Sequence, residues 1–215
     1  MAVAADLAAS DGAERAVAGA LDRFGTVDVL VNNAGAGHSY GLTRPGSMDP
    51  VHTTPPALWD EVLAINLSSA FHMTRLVVPH MRARGSGSIV NVASIAGYTG
   101  LADAHAYTAA KAGLINLTRS LAIAYARDGI RSNVVAPGSI DTPMVRRATL
   151  ERFADEETRW QLAPMGRPAT AEEVAYACLF FAGDESSYCN GSVLAVDGGV
   201  TARGAWSVTV PPAAP

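Results

Sequence analysis

A chain of 215 residues has room for one domain with a sizeable core. Its formal net charge of −4 and isoelectric point near 5.7, with no cluster of lysine and arginine, argue against nucleic acid or an anionic membrane as a partner. Hydrophobic residues make up 49% and charged residues 17%, a balance that suits a compact α/β protein burying much of its surface, subunit contacts included.

The apolar runs break well before the ~18 residues that a membrane-spanning helix needs. The amino terminus, MAVAADLAASDG, lacks the basic start and apolar block of a secretory signal, so a cytoplasmic location is expected. Cys178 and Cys189 make neither a metal pattern nor a disulfide framework, and a reducing compartment suits them. Cys178 falls in an apolar helical run and reads as core. His38, His52, His72, His80 and His105 are scattered, so no metal site is predicted.

Ala2 to Asp6 reads as the end of a strand closed by an acidic residue. Ser10 to Phe24 reads as a helix: Ser10 can accept its first free amides, Val17, Leu21 and Phe24 share a face, and Gly25 can stop it. Val27 to Val31 is a nearly continuous apolar run, as in a strand covered on both faces of a parallel sheet. It leads into Asn32, Asn33, Ala34 and Gly35, where small residues let a ligand approach the backbone and amides can bridge a strand end. Gly35, Gly37 and Gly41 do not have the spacing of a dinucleotide-binding fingerprint. The stretch 37–56 is rich in Gly, Pro, Ser and Thr and longer than most connections. It predicts a surface excursion near the mouth of a site, either shaping substrate or simply tolerated.

Leu58, Val62, Ile65, Phe71 and Leu76 keep a helical period over 58–81, interrupted by Asn66. Residues 88–93 form a further strand and 105–127 a further helix. Ile130 to Val135 is a buried strand that ends at Pro137 and Gly138, with Thr142, Pro143 and Met144 beyond. Thr149 to Leu162 is charged and amphipathic. Thr170 and Glu173 form a capping box that opens a helix over 171–182, and Asn190 to Val196 is a last strand before Asp197, Gly198 and Gly199. Two units result, a domain over 1–200 and a carboxyl-terminal tail over 201–215.

Chemistry concentrates between Ser94 and Lys111. Ser94 sits just past the carboxyl end of a strand, where open α/β sheets bind ligands. Tyr107 and Lys111 are four apart on a helix, so their heads can converge, and a phenol beside a fixed ammonium loses its proton more readily. Taken alone, that pair would equally suit a partly buried aromatic with a solvated neighbour. The serine thirteen positions upstream separates the two.

With Ser94, Tyr107, Lys111 and the NNAG run, the chain resembles the short-chain dehydrogenase/reductase family, over nearly all of its length. The resemblance implies a Rossmann-like, doubly wound parallel α/β sheet and hydride transfer between NAD or NADP and a carbonyl or secondary alcohol substrate. It assigns Asn66, Ser94, Tyr107 and Lys111 to catalysis, Asn66 distorting its helix and fixing a water linked to the lysine. Asp6, Asn33, Ala34, Gly35, Tyr107, Lys111, Pro137, Gly138 and Thr142 are assigned to the cofactor, Asp6 at its adenine end. Residues 149–162 would be the substrate lid, and a homo-dimer or homo-tetramer would form through the helices at 58–81 and 105–127.

The family opens with a strand and a glycine-rich TGxxxGxG turn, and that motif is absent from these 215 residues. The expectation is therefore an N-terminally truncated domain lacking its first βαβ portion. The strand at 27–31 would then be an exposed edge, and either the start is a shortened one or the chain is a non-catalytic remnant folding on a partner subunit.

Overall fold

Four apolar runs pair as one parallel sheet in the computed structural model, which describes residues 1–143 and 163–204. The strands are β1 (Val29–Asn32), β2 (Gly87–Val92), β3 (Ile130–Pro137) and β4 (Val193–Val196), adjacent in that order. Leu30 stands beside Ile89, Asn91 beside Val134, and Val135 beside Leu194. Each crossover is filled by helix, as parallel pairing demands. α1 (Ser10–Phe24) precedes β1, and the crossovers hold α2 (Pro56–Leu63) and α3 (Ser69–Arg84), then α4 (His105–Tyr125), then α5 (Ala171–Ala182).

The alternation of strand side chains sorts the helices onto two faces. Leu30, Ile89 and Ile130 pack with Val17 of α1 and with Val77, Val78 and Met81 of α3. Farther along the same face, Val134 and Ala136 meet Leu114 and Ile115 of α4. The intervening residues Val90 and Val135 point the other way, onto Ala177 and Phe181 of α5. The sheet is thus covered on both sides, as the apolar runs predict, except over β1. There Val29 and Val31 remain 39% and 44% exposed.

Several polar groups inside this core are paired across elements. Asn32 Nδ2 donates to Asn91 Oδ1 at 2.8 Å, and Asn91 Nδ2 donates to Thr118 Oγ1 at 2.8 Å, linking β1, β2 and α4. Arg131 of β3 donates to the Phe181 and Gly183 carbonyls and to Ser186 Oγ, satisfying the last turn of α5. The capping box of Thr170 and Glu173 opens that helix as expected, with Arg167 paired to Glu173.

Several sequence expectations need correction. Ala2 to Asp6 is not a strand, because a strand exists only against a neighbour, and these residues run along α1 instead of pairing with β1. A Cβ on Gly12 would fall 1.8 Å from the Asp6 carbonyl oxygen, and Met1 and Val3 lie over Gly19. Ser10 is the first residue of α1 and not its cap; Ala9 holds the cap position without a side-chain bond. Gly25 does stop α1, in the left-handed conformation at φ 76°. The helix expected over 58–81 is three pieces, α2 and α3 joined by one wide π turn at Ala64–Ser68. The 29 residues of that column are long and apolar enough to cross a membrane by length and composition, but they dock against α1, α4 and the sheet. The expected lid falls at residues 149–162, outside the described residues, as does most of the tail.

Candidate active site

The carboxyl ends of the strands converge on one cavity of about 590 Å³, within the range of small-molecule sites. The Ser94 backbone is extended, and its Oγ accepts the Ala96 amide at 3.1 Å, capping the short helical turn Ile95–Gly97. That turn lies hard against α4. A Cβ on Gly97 would stand 2.9 Å from the Lys111 carbonyl, so only glycine lets the two backbones come this close and carry Ser94 up to Tyr107. The Ser94 hydroxyl is thereby close enough to Tyr107 to favour its ionised form.

Tyr107 and Lys111 project from the same face of α4, with the Lys111 Nζ 5.7 Å from the centre of the Tyr107 ring. Lys111 is only 4% exposed and donates one hydrogen bond, to the Val92 carbonyl at 3.1 Å. Burial pulls its pKa down to about 8. Burial also moves the Tyr107 phenol above its ordinary value, and the Ser94 hydroxyl draws it part of the way back. The displacement is opposite in sign to the one expected from a neighbouring ammonium. Taking the phenolate out of water outweighs the other influences on it.

Asn66 occupies the middle of the wide turn between α2 and α3 and is 1% exposed. Its Nδ2 donates to the Val62 carbonyl at 3.1 Å, competing for an acceptor of the regular helix, and its Oδ1 accepts the Ala36 amide at 3.1 Å. The expected local distortion is therefore present. Gly35 lies in the angle between Asn66 and Lys111: a Cβ there would come within 2.9 Å of Asn66 Oδ1 and 3.3 Å of Lys111 Nζ.

Of the residues singled out from the sequence, Asn33, Gly35, Asn66, Ser94, Tyr107, Lys111, Pro137, Gly138 and Thr142 all line the cavity. Ala34 is exposed and does not. Asp6 is exposed too, its carboxylate accepting the Ala8 amide at 3.0 Å, and it stands outside the cavity. Cys178, expected in the core, lines the cavity wall with Val174, and burial raises its thiol pKa. Nothing local in the sequence marks that wall, nor the Val92 carbonyl that holds Lys111. The stretch 37–56 does stand at the mouth: Ser39, Tyr40 and Thr43 line an adjoining hollow of about 480 Å³. No group of three His, Cys, Asp or Glu suited to a metal ion occurs among the described residues.

Residues 1–201 match the family model described as Enoyl-(Acyl carrier protein) reductase. The chain belongs to the short-chain dehydrogenase/reductase family. It is 40% identical over 203 residues to 2-(R)-hydroxypropyl-CoM dehydrogenase of Xanthobacter autotrophicus, covering 93% of this chain and 77% of that protein. The crystal structure of levodione reductase superposes with a TM-score of 0.84 at 36% identity, over 94% of this chain and 77% of the other. A gluconate 5-dehydrogenase from Burkholderia cenocepacia J2315, in complex with NADP and tartrate, superposes with a TM-score of 0.80 at 30% identity, over 93% and 74%. The chain spans about three quarters of the length of each of these relatives.

Family members are NAD(P)-dependent oxidoreductases of small molecules, and the cavity suits such a cofactor on its own terms. The Lys111 ammonium has three donors and uses one inside the protein, leaving two for hydroxyl groups. The missing side chain at Gly35 leaves room for a ligand beside Lys111 and Asn66. Pro137 and Gly138 present a donor-poor wall opposite, where a Cβ on Gly138 would strike Asp197 at 2.9 Å.

Proposed function

We propose that this protein transfers a hydride between NAD or NADP and the carbon of a carbonyl or secondary alcohol substrate, with Tyr107 as the general acid and base. One observation carries the proposal: Ser94, Tyr107 and Lys111 meet at the wall of a single cavity. The bound nicotinamide supplies or accepts the hydride. Tyr107 and Lys111 would hold its ribose, Pro137, Gly138 and Thr142 its carboxamide end, and Asn33 and Gly35 its approach along the sheet.

Ser94 would donate a hydrogen bond to the substrate oxygen as negative charge develops there. Tyr107 would give its proton to that oxygen during reduction and take it back during oxidation. Burial favours the neutral phenol, so the resting group is ready as an acid. With a pKa of about 8, Lys111 is predominantly an ammonium near neutral pH and can stabilise a transient phenolate. Asn66, fixed by two hydrogen bonds of its own, would orient a water linked to Lys111, through which the proton that Tyr107 gives up is replaced from solvent. A homo-dimer or homo-tetramer built on α3 and α4 would cover Phe71 and Ile123, which are 48% and 83% exposed.

Tyr107→Phe tests the reading. Turnover of a reducible ketone should fall at least ~100-fold, the usual weight of a positioned acid, while NADH or NADPH affinity measured by fluorescence stays near that of the parent. Retention of most of the rate, or a folded parent chain that binds neither dinucleotide, would overturn it.

A further inference from the structure

Ala104, the residue before α4, has a left-handed backbone at φ 52° and is the only non-glycine residue with positive φ among those described. For a residue with a Cβ this conformation costs on the order of 1 kcal/mol and persists only where the surroundings impose it. Those surroundings are the stretch 37–56. The Ala104 amide donates to the Met48 carbonyl at 3.0 Å, and the Met48 side chain, 7% exposed, packs with Val62 of α2 and with Ala104 and Ala106. Tyr107 packs against this same cluster, one helical turn beyond Ala104.

The stretch carrying Met48 is itself secured on both sides. Before Met48, Tyr40 and Arg44 both bond to Glu61 of α2, the Arg44 Nε at 2.9 Å. Still closer to β1, the Ala36 amide is held by Asn66. After it, Thr54 bonds back to the Asp49 carbonyl at 3.0 Å before α2 begins. Met48 therefore reaches the base of α4 from a braced segment, with its backbone on the helix start and its side chain beside the cluster that supports the phenol.

We propose that Met48 is a positioning residue for Tyr107, a plug through which the 37–56 segment fixes the start of α4 and keeps water from the inner side of the phenol ring. The proposal rests on the role given to Tyr107 above only where it concerns rate. Its physical content is the placement and hydration of the ring. The titratable and charged groups on the elements around that ring are Lys111 on α4, the paired Tyr40, Arg44 and Glu61, and Asp103 and His105 at the helix start, with His38 Nε2 bonded to Asp103 at 3.1 Å. None of these is altered by a substitution at position 48.

The test titrates the parent chain, Met48→Ala and Met48→Leu, each labelled with ¹³C at tyrosine Cζ, with Tyr107→Phe assigning the signal. In Met48→Ala the Tyr107 midpoint should fall by about one pH unit as water reaches the ring, and Met48→Leu, which refills the volume, should restore it. With a ketone substrate, kcat should drop roughly 10-fold in Met48→Ala while KM moves less than about 2-fold. If the alanine variant does not fold, Met48→Val is read the same way, with a smaller shift. A midpoint unchanged in every folded small variant overturns the plug. A midpoint that moves in a parent chain showing no turnover of any carbonyl supports the plug and counts against the catalytic reading instead.

Discussion

Lys111 holds a charge almost wholly buried at the cavity wall, with one protein carbonyl as its hydrogen-bond partner. Its pKa falls from 10.5 in the open chain to about 8 in the fold, which at about 1.4 kcal/mol per pH unit corresponds to roughly 3 kcal/mol. Below pH 8 the group is protonated in both states, so folding bears the whole cost of burying the charge. As pH rises from 8 towards 10.5 the folded state sheds its proton first, and the penalty fades. Lys111→Met, of similar shape and uncharged, should therefore raise unfolding stability by up to roughly 3 kcal/mol at pH 7 and by much less at pH 10.5, as read from urea transitions at both values. A gain independent of pH, or a loss at pH 7, would contradict the burial cost. At this scale the sequence was most legible where chemistry is local. Ser94, Tyr107 and Lys111 are found from a strand end and a helical spacing, and the amide of Asn66 from its oddity inside an apolar period. That Asp6 and Ala34 stand outside the cavity was not legible, because the wall each residue faces depends on which strands lie alongside, and that is not written in neighbouring residues.

Among the elements, α5 shows both sides of this limit. Its beginning was readable, since Thr170 and Glu173 satisfy each other over three residues. Its end was placed correctly at 182, but what secures that end was not readable, because Arg131 and Ser88, which hold the Phe181 carbonyl, come from two strands far back in the chain. Arg131→Met would leave the Gly183 carbonyl with only the Ser186 hydroxyl as donor and should cost about 2 kcal/mol in urea unfolding, the usual weight of charge-assisted bonds at a partly buried site. A change below about 0.5 kcal/mol would mean that Ser88 and Ser186 suffice. The wide turn at Ala64–Ser68 was foreseen as a distortion at Asn66, but not in its form. Its form depends on Asn66 binding both Val62 within its helix and Ala36 outside it. The expected strand at Ala2 to Asp6 failed for a related reason, since an extended backbone becomes a strand only if another edge receives it.

At the scale of the whole sheet, one edge is left bare by the helices among the described residues. α5 packs on β2, β3 and β4 but leaves the outward side of β1 open, where Val29 and Val31 stand exposed. An uncovered apolar edge is a template for further pairing, so this 215-residue chain should self-associate with rising concentration, and Val29→Lys should lower that tendency in light scattering without shifting the melting temperature by more than a few degrees. Equal association in both proteins would show that another surface drives it. The layered order of sheet and helices was legible from alternating apolar runs and helix-length crossovers. The alignment of one strand against the next was not, and here the linked amides of Asn32 and Asn91 with the Thr118 hydroxyl matter. Sliding β2 by a single position would send the amide at 91 to the side where Ala177 and Phe181 lie, with nothing there to accept or donate. The trio thus works like the wards of a lock, admitting one alignment of three elements. Descendants of this chain should alter positions 32, 91 and 118 together or leave them alone.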